Sequence, residues 1–144
     1  MNTVLREQVE KELLFDLESE RRVLSSMLHS EEACIEGYSV LSAADFYAPK
    51  HGTIFELICS LFDREIRPTY VELLKEGHSL GIFTNPRDLE DIKYIAEHYI
   101  DDENIKYWIG RVKDKSRLRK YENFLRIRYQ QLSEGADRDR KSVV

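Results

Sequence analysis

The chain has 144 residues, of which 42% are hydrophobic and 34% charged, with only six glycines and three prolines. This length suits one domain with an extension, and the scarcity of glycine and proline favours helices. Two cysteines, Cys34 and Cys59, are too few for a disulfide framework or a zinc site, and they suit buried thiols in a reducing cytoplasm. No apolar run approaches the roughly 18 residues of a membrane span. We therefore expect a cytoplasmic protein without a membrane segment.

Charge is distributed unevenly along the chain. Residues 1–105 hold 10 Lys and Arg against 22 Asp and Glu, whereas residues 106–128 hold 9 against 2. The acidic part would repel phosphate groups, which argues against general binding of nucleic acid. The basic segment 106–128 keeps a nucleic-acid-binding helical module open as an alternative function, with Trp108 or Tyr121 as stacking partners. Its basic residues are Lys106, Arg111, Lys113, Lys115, Arg117, Arg119, Lys120, Arg126 and Arg128.

The first half of the chain predicts three short helices. Residues 1–15 are polar and lack an apolar run, so we expect a flexible leader and no signal peptide. Asp16 is a suitable N-cap for a first helix, and Ser30 for a second. Pro49 can occupy the first position of a third helix, which extends to about Arg64.

Two more short helices and one long helix follow. Thr69 and Glu72 have the spacing of a capping box, and Asn85 followed by Pro86 is typical of a helix start. The last helix is predicted from about Asp102 to Ser133, with Asp101 or Asp102 as its cap.

The predicted organisation is all-α, because no segment alternates between polar and apolar residues for long. A compact head of about five short helices spans residues 16–100, and a long helix forms an arm over residues 101–133. Residues 134–144 are expected to begin a linker or a second arm and to be disordered. Apolar residues of the first three helices and their connections should form the core. They are Leu24, Leu28, Leu41, Phe46, Tyr47, Ile54, Phe55, Ile58 and Leu61.

The arm helix changes its apolar face along its length. At about 100° per residue, Ile105, Trp108, Ile109 and Val112 share one side of the helix. We expect this side to dock on the head. A second stripe on nearly the opposite side, called the arm stripe below, should contact another protein. It consists of Leu118, Tyr121, Leu125, Tyr129 and Leu132. A break near residues 115–117, giving two independently packed helices, is the alternative.

The sequence contains no recognisable catalytic constellation. Its six glycines nowhere form the phosphate-binding patterns G-x-x-x-x-G-K-[ST] or G-x-G-x-x-G. No histidine lies three or four residues from another histidine or from a cysteine, so no metal-ligand spacing is present. We therefore expect no enzymatic activity, no metal and no cofactor in this chain.

The segment Leu41–His51, LSAADFYAPKH, resembles a signature of the N-terminal domain of bacterial replicative DNA helicases of the DnaB type, which reads roughly L-x-x-x-D-F-Y-x-P-x-H. Three further segments resemble the same family in the same order. They are Glu20–Leu28 (E-x-x-V-L-x-x-x-L), Pro68–Leu74 and Asn104–Arg119. The chain departs from the family pattern at Gly110, Arg111 and Arg117 and in the turn Thr84–Pro86. These departures concern the course of the last two helices.

The resemblance implies a non-catalytic domain of a hexameric, ATP-driven helicase. Such a domain pairs with copies of itself, as dimers within the hexamer, into a collar. It also serves as a docking surface for DNA primase and, in some members, for the helicase loader. Binding of ATP and Mg²⁺ and contact with DNA belong to the full-length protein. In the family the long helix is the first arm of a helical hairpin, so we expect this chain to be part of a longer polypeptide.

Overall fold

The structure, a computed structural model, describes residues 3–4, 13–101 and 103–142. Most of the predicted leader lies outside these residues. Within them all regular structure is helical, as predicted, and no helix is long and apolar enough to cross a membrane. A single 3-10 turn, Ala43–Asp45, links the second and third helices. The α-helices whose full extent falls within the described residues are α1 (Leu17–His29), α2 (Glu31–Val40), α3 (Pro49–Asp63), α4 (Tyr70–Ser79), α5 (Pro86–Glu97) and α6 (Ile105–Ser142).

Four of the five short helices begin at the N-caps that the sequence predicts. Each cap side chain accepts a hydrogen bond from a backbone N–H that the helix start would otherwise leave unpaired. The pairs of cap and donor are Asp16 with Ser19, Ser30 with Ala33, Thr69 with Glu72, and Asn85 with Asp88. Helix α3 differs, because the residue at its N-cap, Ala48, has no side-chain acceptor. The backbone N–H groups at the start of α3 therefore need a hydrogen-bond acceptor from another element.

The core lies between α1 and the helices that surround it, α2, α3, α5 and α6. Eight of the nine predicted core residues are buried. They are Leu24, Leu28, Leu41, Phe46, Ile54, Phe55, Ile58 and Leu61. The prediction for Tyr47 is wrong, because this side chain is 47% exposed and its ring stacks on Phe15. Phe46 has an extended backbone, so the side chains of Phe46 and Tyr47 point to opposite sides and only one can enter the core.

The long helix α6 is continuous from Ile105 to Ser142. The predicted end at Ser133 and the alternative break near residues 115–117 are therefore wrong, and the helix continues through residues 134–142. Gly110 and Gly135 lie inside the helix, where neither has a neighbour within 4 Å of the position a Cβ would take. A glycine lowers helix propensity by about 1 kcal/mol but ends a helix only where the backbone turns left-handed.

Candidate functional site

The turn Leu41–His51 is held by two buried carboxylates, the first of which is Glu20 of α1. One oxygen of Glu20 accepts a hydrogen bond from the Tyr47 N–H at 2.8 Å. The other accepts from the Ala48 N–H at 3.3 Å and lies 2.8 Å from Nδ1 of His51. Glu20 thus caps α3 from a distance, and its negative charge lies at the positive end of that helix.

The second buried carboxylate, Asp45, joins the turn to the arm. It accepts hydrogen bonds from the Ser42 N–H at 2.9 Å, from the Ser116 hydroxyl at 2.7 Å and from Lys113 Nζ at 3.0 Å. Burial raises the pKa of Asp45, but hydrogen bonds from Ser116, Ser42 and Lys113 outweigh it, so the pKa lies below the ordinary value of 3.8. Asp45 is therefore ionised at neutral pH and fixes the root of α6 to the head.

Arg119 extends this network to the residues that precede α1. Its guanidinium donates to the carbonyl oxygens of Leu14 at 2.8 Å and Asp45 at 2.7 Å. It also lies 5.6 Å from the centre of the Tyr47 ring, which stacks on Phe15. These contacts place the exposed ring of Tyr47 between the start of α1 and the arm, which explains why a motif tyrosine lies outside the core.

A second ion pair ties the start of α1 to the arm. Arg111 Nε donates to Asp16 at 2.8 Å. Burial raises the pKa of Asp16, but its hydrogen bonds from Ser19 and from Arg111 lower the pKa below its usual range. The predicted N-cap of α1 is therefore also a contact of α6.

The docked side of α6 agrees with the sequence prediction. Ile105, Ile109 and Val112 are buried and Trp108 packs against the core, with the guanidinium of Arg22 4.4 Å from the centre of its ring. The arm stripe lies in solvent beyond this docked part. Its exposed fractions are 42% for Leu118, 68% for Tyr121, 64% for Leu125, 73% for Tyr129 and 64% for Leu132.

Two further apolar residues of the arm, outside the predicted stripe, are exposed as well. Phe124 is 63% exposed and Ile127 is 45% exposed. At about 100° per residue, Phe124 lies to one side of the arm stripe and Ile127 lies opposite to it. The exposed apolar surface therefore extends around much of the projecting helix. A single stripe of the helical period covers only part of this surface. Apolar surface on this scale usually marks an interaction site.

The basic segment 106–128 makes several of its contacts within the chain. Arg111, Lys113 and Arg119 bind the head as described, and Lys106 lies 3.8 Å from Glu36 of α2. Phosphate would have to compete with these contacts. The acidic head of the same chain thus already neutralises part of the basic arm, which weakens the interpretation as a nucleic-acid-binding module.

The two cysteine thiols of the head are poor nucleophiles. Burial raises the pKa of Cys34 to about 11 and that of Cys59 to about 12, so both thiols are protonated at neutral pH. Among the described residues, no group of three or more His, Cys, Asp and Glu side chains is placed to hold a metal ion.

Comparison with known proteins gives the family. Residues 12–114 match the model of the DnaB-like helicase N-terminal domain. The chain belongs to this family. It is 27% identical over 105 residues to the replicative DNA helicase DnaB of Leifsonia xyli subsp. xyli (strain CTCB07), and the alignment covers 73% of this chain and 23% of that relative. A DnaB-like N-terminal domain is not the ATPase, so this chain is non-catalytic by itself.

Two solved structures share the fold of this DnaB-like domain. The N-terminal domain of the DnaB helicase from Mycobacterium tuberculosis superposes with a TM-score of 0.79 at 25% identity, covering 86% of this chain and 89% of that one. The corresponding Helicobacter pylori domain, whose structure was described together with its interactions with primase, gives a TM-score of 0.67 at 25% identity. That alignment covers 92% of this chain and 99% of the other. The family resemblance and the all-α prediction are both confirmed.

Proposed function

We propose that this chain forms part of the N-terminal collar of a hexameric replicative DNA helicase in the cytoplasm. In this role it associates with copies of itself and docks the DNA primase, while ATP and Mg²⁺ bind in a separate domain of the full-length protein. The helicase loader is a further candidate partner. The observation that carries the proposal is the exposed arm stripe, on a helix whose opposite face is buried against the head.

The arm stripe has the composition of a protein interface. Tyr121 and Tyr129 are large, amphipathic anchors of the kind that dominates binding energy, and Leu125 lies between them. The H. pylori relative, whose interactions with primase have been studied, makes primase a natural candidate for the same kind of surface. The part of α6 that carries the stripe extends beyond the head, so a partner can reach it.

Leu125→Asp should weaken self-association or primase binding by about tenfold or more, because it places a charge at the centre of the apolar stripe. The melting temperature of the head should change by less than about 2 °C, since the stabilising contacts of α6 lie on its other face. Sedimentation velocity measures self-association, and calorimetric titration with the C-terminal domain of primase measures docking.

Gln130→Asp is the matched control, because it adds the same charge to an exposed position on the other side of the arm. It should leave both associations unchanged. If Leu125→Asp unfolds the head, or if both associations persist in that variant, the arm stripe is internal packing and the proposal is wrong.

The isolated chain should neither hydrolyse ATP nor bind single-stranded DNA appreciably at physiological salt. It lacks a phosphate loop, its residues 1–105 are strongly acidic, and several basic residues of the arm are held by the head. Phosphate release and the anisotropy of a labelled oligonucleotide measure the two activities. Tight DNA binding that disappears when Arg117 and Lys120 are neutralised would instead favour the nucleic-acid-binding module.

A further inference from the structure

A cleft of about 570 Å³ opens in the head at the C-terminal end of α3. Its floor includes the buried side chains of Met27 and Cys34. Phe62, Ile66 and Pro68 form apolar walls. We call this space the head cleft. Its size and apolar lining suit large side chains presented by one face of a helix.

The rim of the head cleft is negatively charged. Three carboxylates lie around the opening, against the single cation of the lining, Arg67. They belong to Glu31 in the first turn of α2, Asp63 at the end of α3 and Glu65 two residues later. Arg67 donates to the carbonyl oxygen of His29 at 2.9 Å, so it is engaged in closing the end of α1. An occupant of this cleft should therefore combine apolar side chains with Lys or Arg.

The wall that carries Glu65 is fixed by its backbone. After α3 the Ile66 N–H donates to the Leu61 carbonyl at 2.9 Å and the Glu65 N–H donates to the Phe62 carbonyl at 3.0 Å, which is the Schellman pattern of a helix end. Glu65 has a φ of 61°, the left-handed conformation that glycine usually occupies at this position. Glu65 therefore has a backbone conformation that is unfavourable for glutamate, and its carboxylate lies at the rim of the head cleft.

The complementary surface lies on the arm of the same chain. At about 100° per residue, Arg128 lies roughly 60° from the axis of the arm stripe on one side, and Arg126 roughly 100° from it on the other. Leu125 and Tyr129, at i and i+4, present two adjacent apolar side chains between these cations. Glu122 lies roughly 60° from the axis on the same side as Arg126, so this surface combines its apolar side chains with two cations and one carboxylate. Its net charge is positive, opposite to that of the cleft rim.

We propose that the head cleft of one copy receives the arm stripe of a second copy, with Glu31 and Glu65 facing Arg126 and Arg128. The inference rests on the self-association proposed above and specifies its second surface. Charge complementarity supports a second copy as the occupant, because opposite charges across an interface select the partner and fix the register.

Charge reversal on each side, followed by reversal on both, tests the contact. Sedimentation velocity of the 144-residue chain should show association weakened about tenfold by Glu31→Lys with Glu65→Lys, and equally by Arg126→Glu with Arg128→Glu. All four residues are exposed, so the melting temperature should stay within about 2 °C. The chain that carries all four changes should recover association to within about threefold of the original, because each new pair is again attractive.

Glu90→Lys on α5 and Lys120→Glu on the far side of the arm are single-site controls, each reversing one charge where each test variant reverses two, and both should leave association unchanged. Independent, additive losses without recovery in the fourfold variant would overturn the inference. So would cleft variants that lose primase binding but keep self-association, which would assign the cleft to primase. An original chain that is monomeric at all concentrations would contradict the self-association in the proposed function as well. If Leu125→Asp dissociates the chain and the cleft variants do not, only the cleft inference fails.

Discussion

Replacing Asp45 with alanine should lower the free energy of unfolding by about 3 kcal/mol. The substitution leaves the ammonium group of Lys113, whose side chain is 26% exposed, without its anion, and it removes the acceptor of the Ser116 hydroxyl. It also removes the acceptor of the Ser42 N–H in the turn. Urea denaturation followed by circular dichroism gives the change directly. A loss below about 1 kcal/mol would show that water replaces these contacts and that they do not anchor the arm.

Lys113→Met is the matched variant for Asp45→Ala, and the double variant completes a cycle that isolates the coupling between the two side chains. The dependence on pH provides a second check. Since the folded-state pKa of Asp45 is lowered, its contribution is fully present above about pH 4, the unfolded pKa of an Asp, and is lost as pH falls through the folded value. Asp45→Asn should abolish this part of the acid sensitivity.

Phe55→Ala should destabilise the head by about 3–5 kcal/mol. Phe55 is 3% exposed and its ring centre lies 5.1 Å from that of Phe46, so the substitution leaves a cavity beside the turn Leu41–His51 that both carboxylates hold. Phe124→Ala removes the same atoms from an exposed position on the arm and should cost less than about 0.5 kcal/mol. Equal losses from the two variants in urea denaturation would show that the burial of Phe55 contributes nothing.

The short helices could be predicted from sequence because their start signals are local. The cap at Thr69 bonds to the N–H of Glu72, and the cap at Asn85 bonds to that of Asp88, each three residues along the chain. The end of the arm could not be predicted in this way. Glycine often follows the last residue of a helix, but the backbone at Gly135 stays helical, so this glycine does not end α6.

The contacts of the two carboxylates that hold the turn Leu41–His51 could not be predicted from sequence, for a different reason. His51 lies 31 residues from Glu20, and Lys113 lies 68 residues from Asp45. Such pairs form only when the helices pack together, so the sequence alone gives no partner for His51. The docked and exposed faces of the arm, in contrast, follow from the helical period alone. That is why the arm stripe was identified from sequence and the network at its root was not.

Because helix α6 is continuous, a rotation where it leaves the head displaces its far end. About 39 Å of α6, at about 1.5 Å per residue, lies beyond Ser116, the last buried residue among those of the helix whose burial is described. A rotation of about 10° at that point would sweep the distal end through about 7 Å, more than the pitch of one helical turn. The hydrogen bonds of Asp45 and Arg119 therefore limit the displacement of the distal end of the arm. A small change in the angle between α6 and the head moves that end by several ångströms.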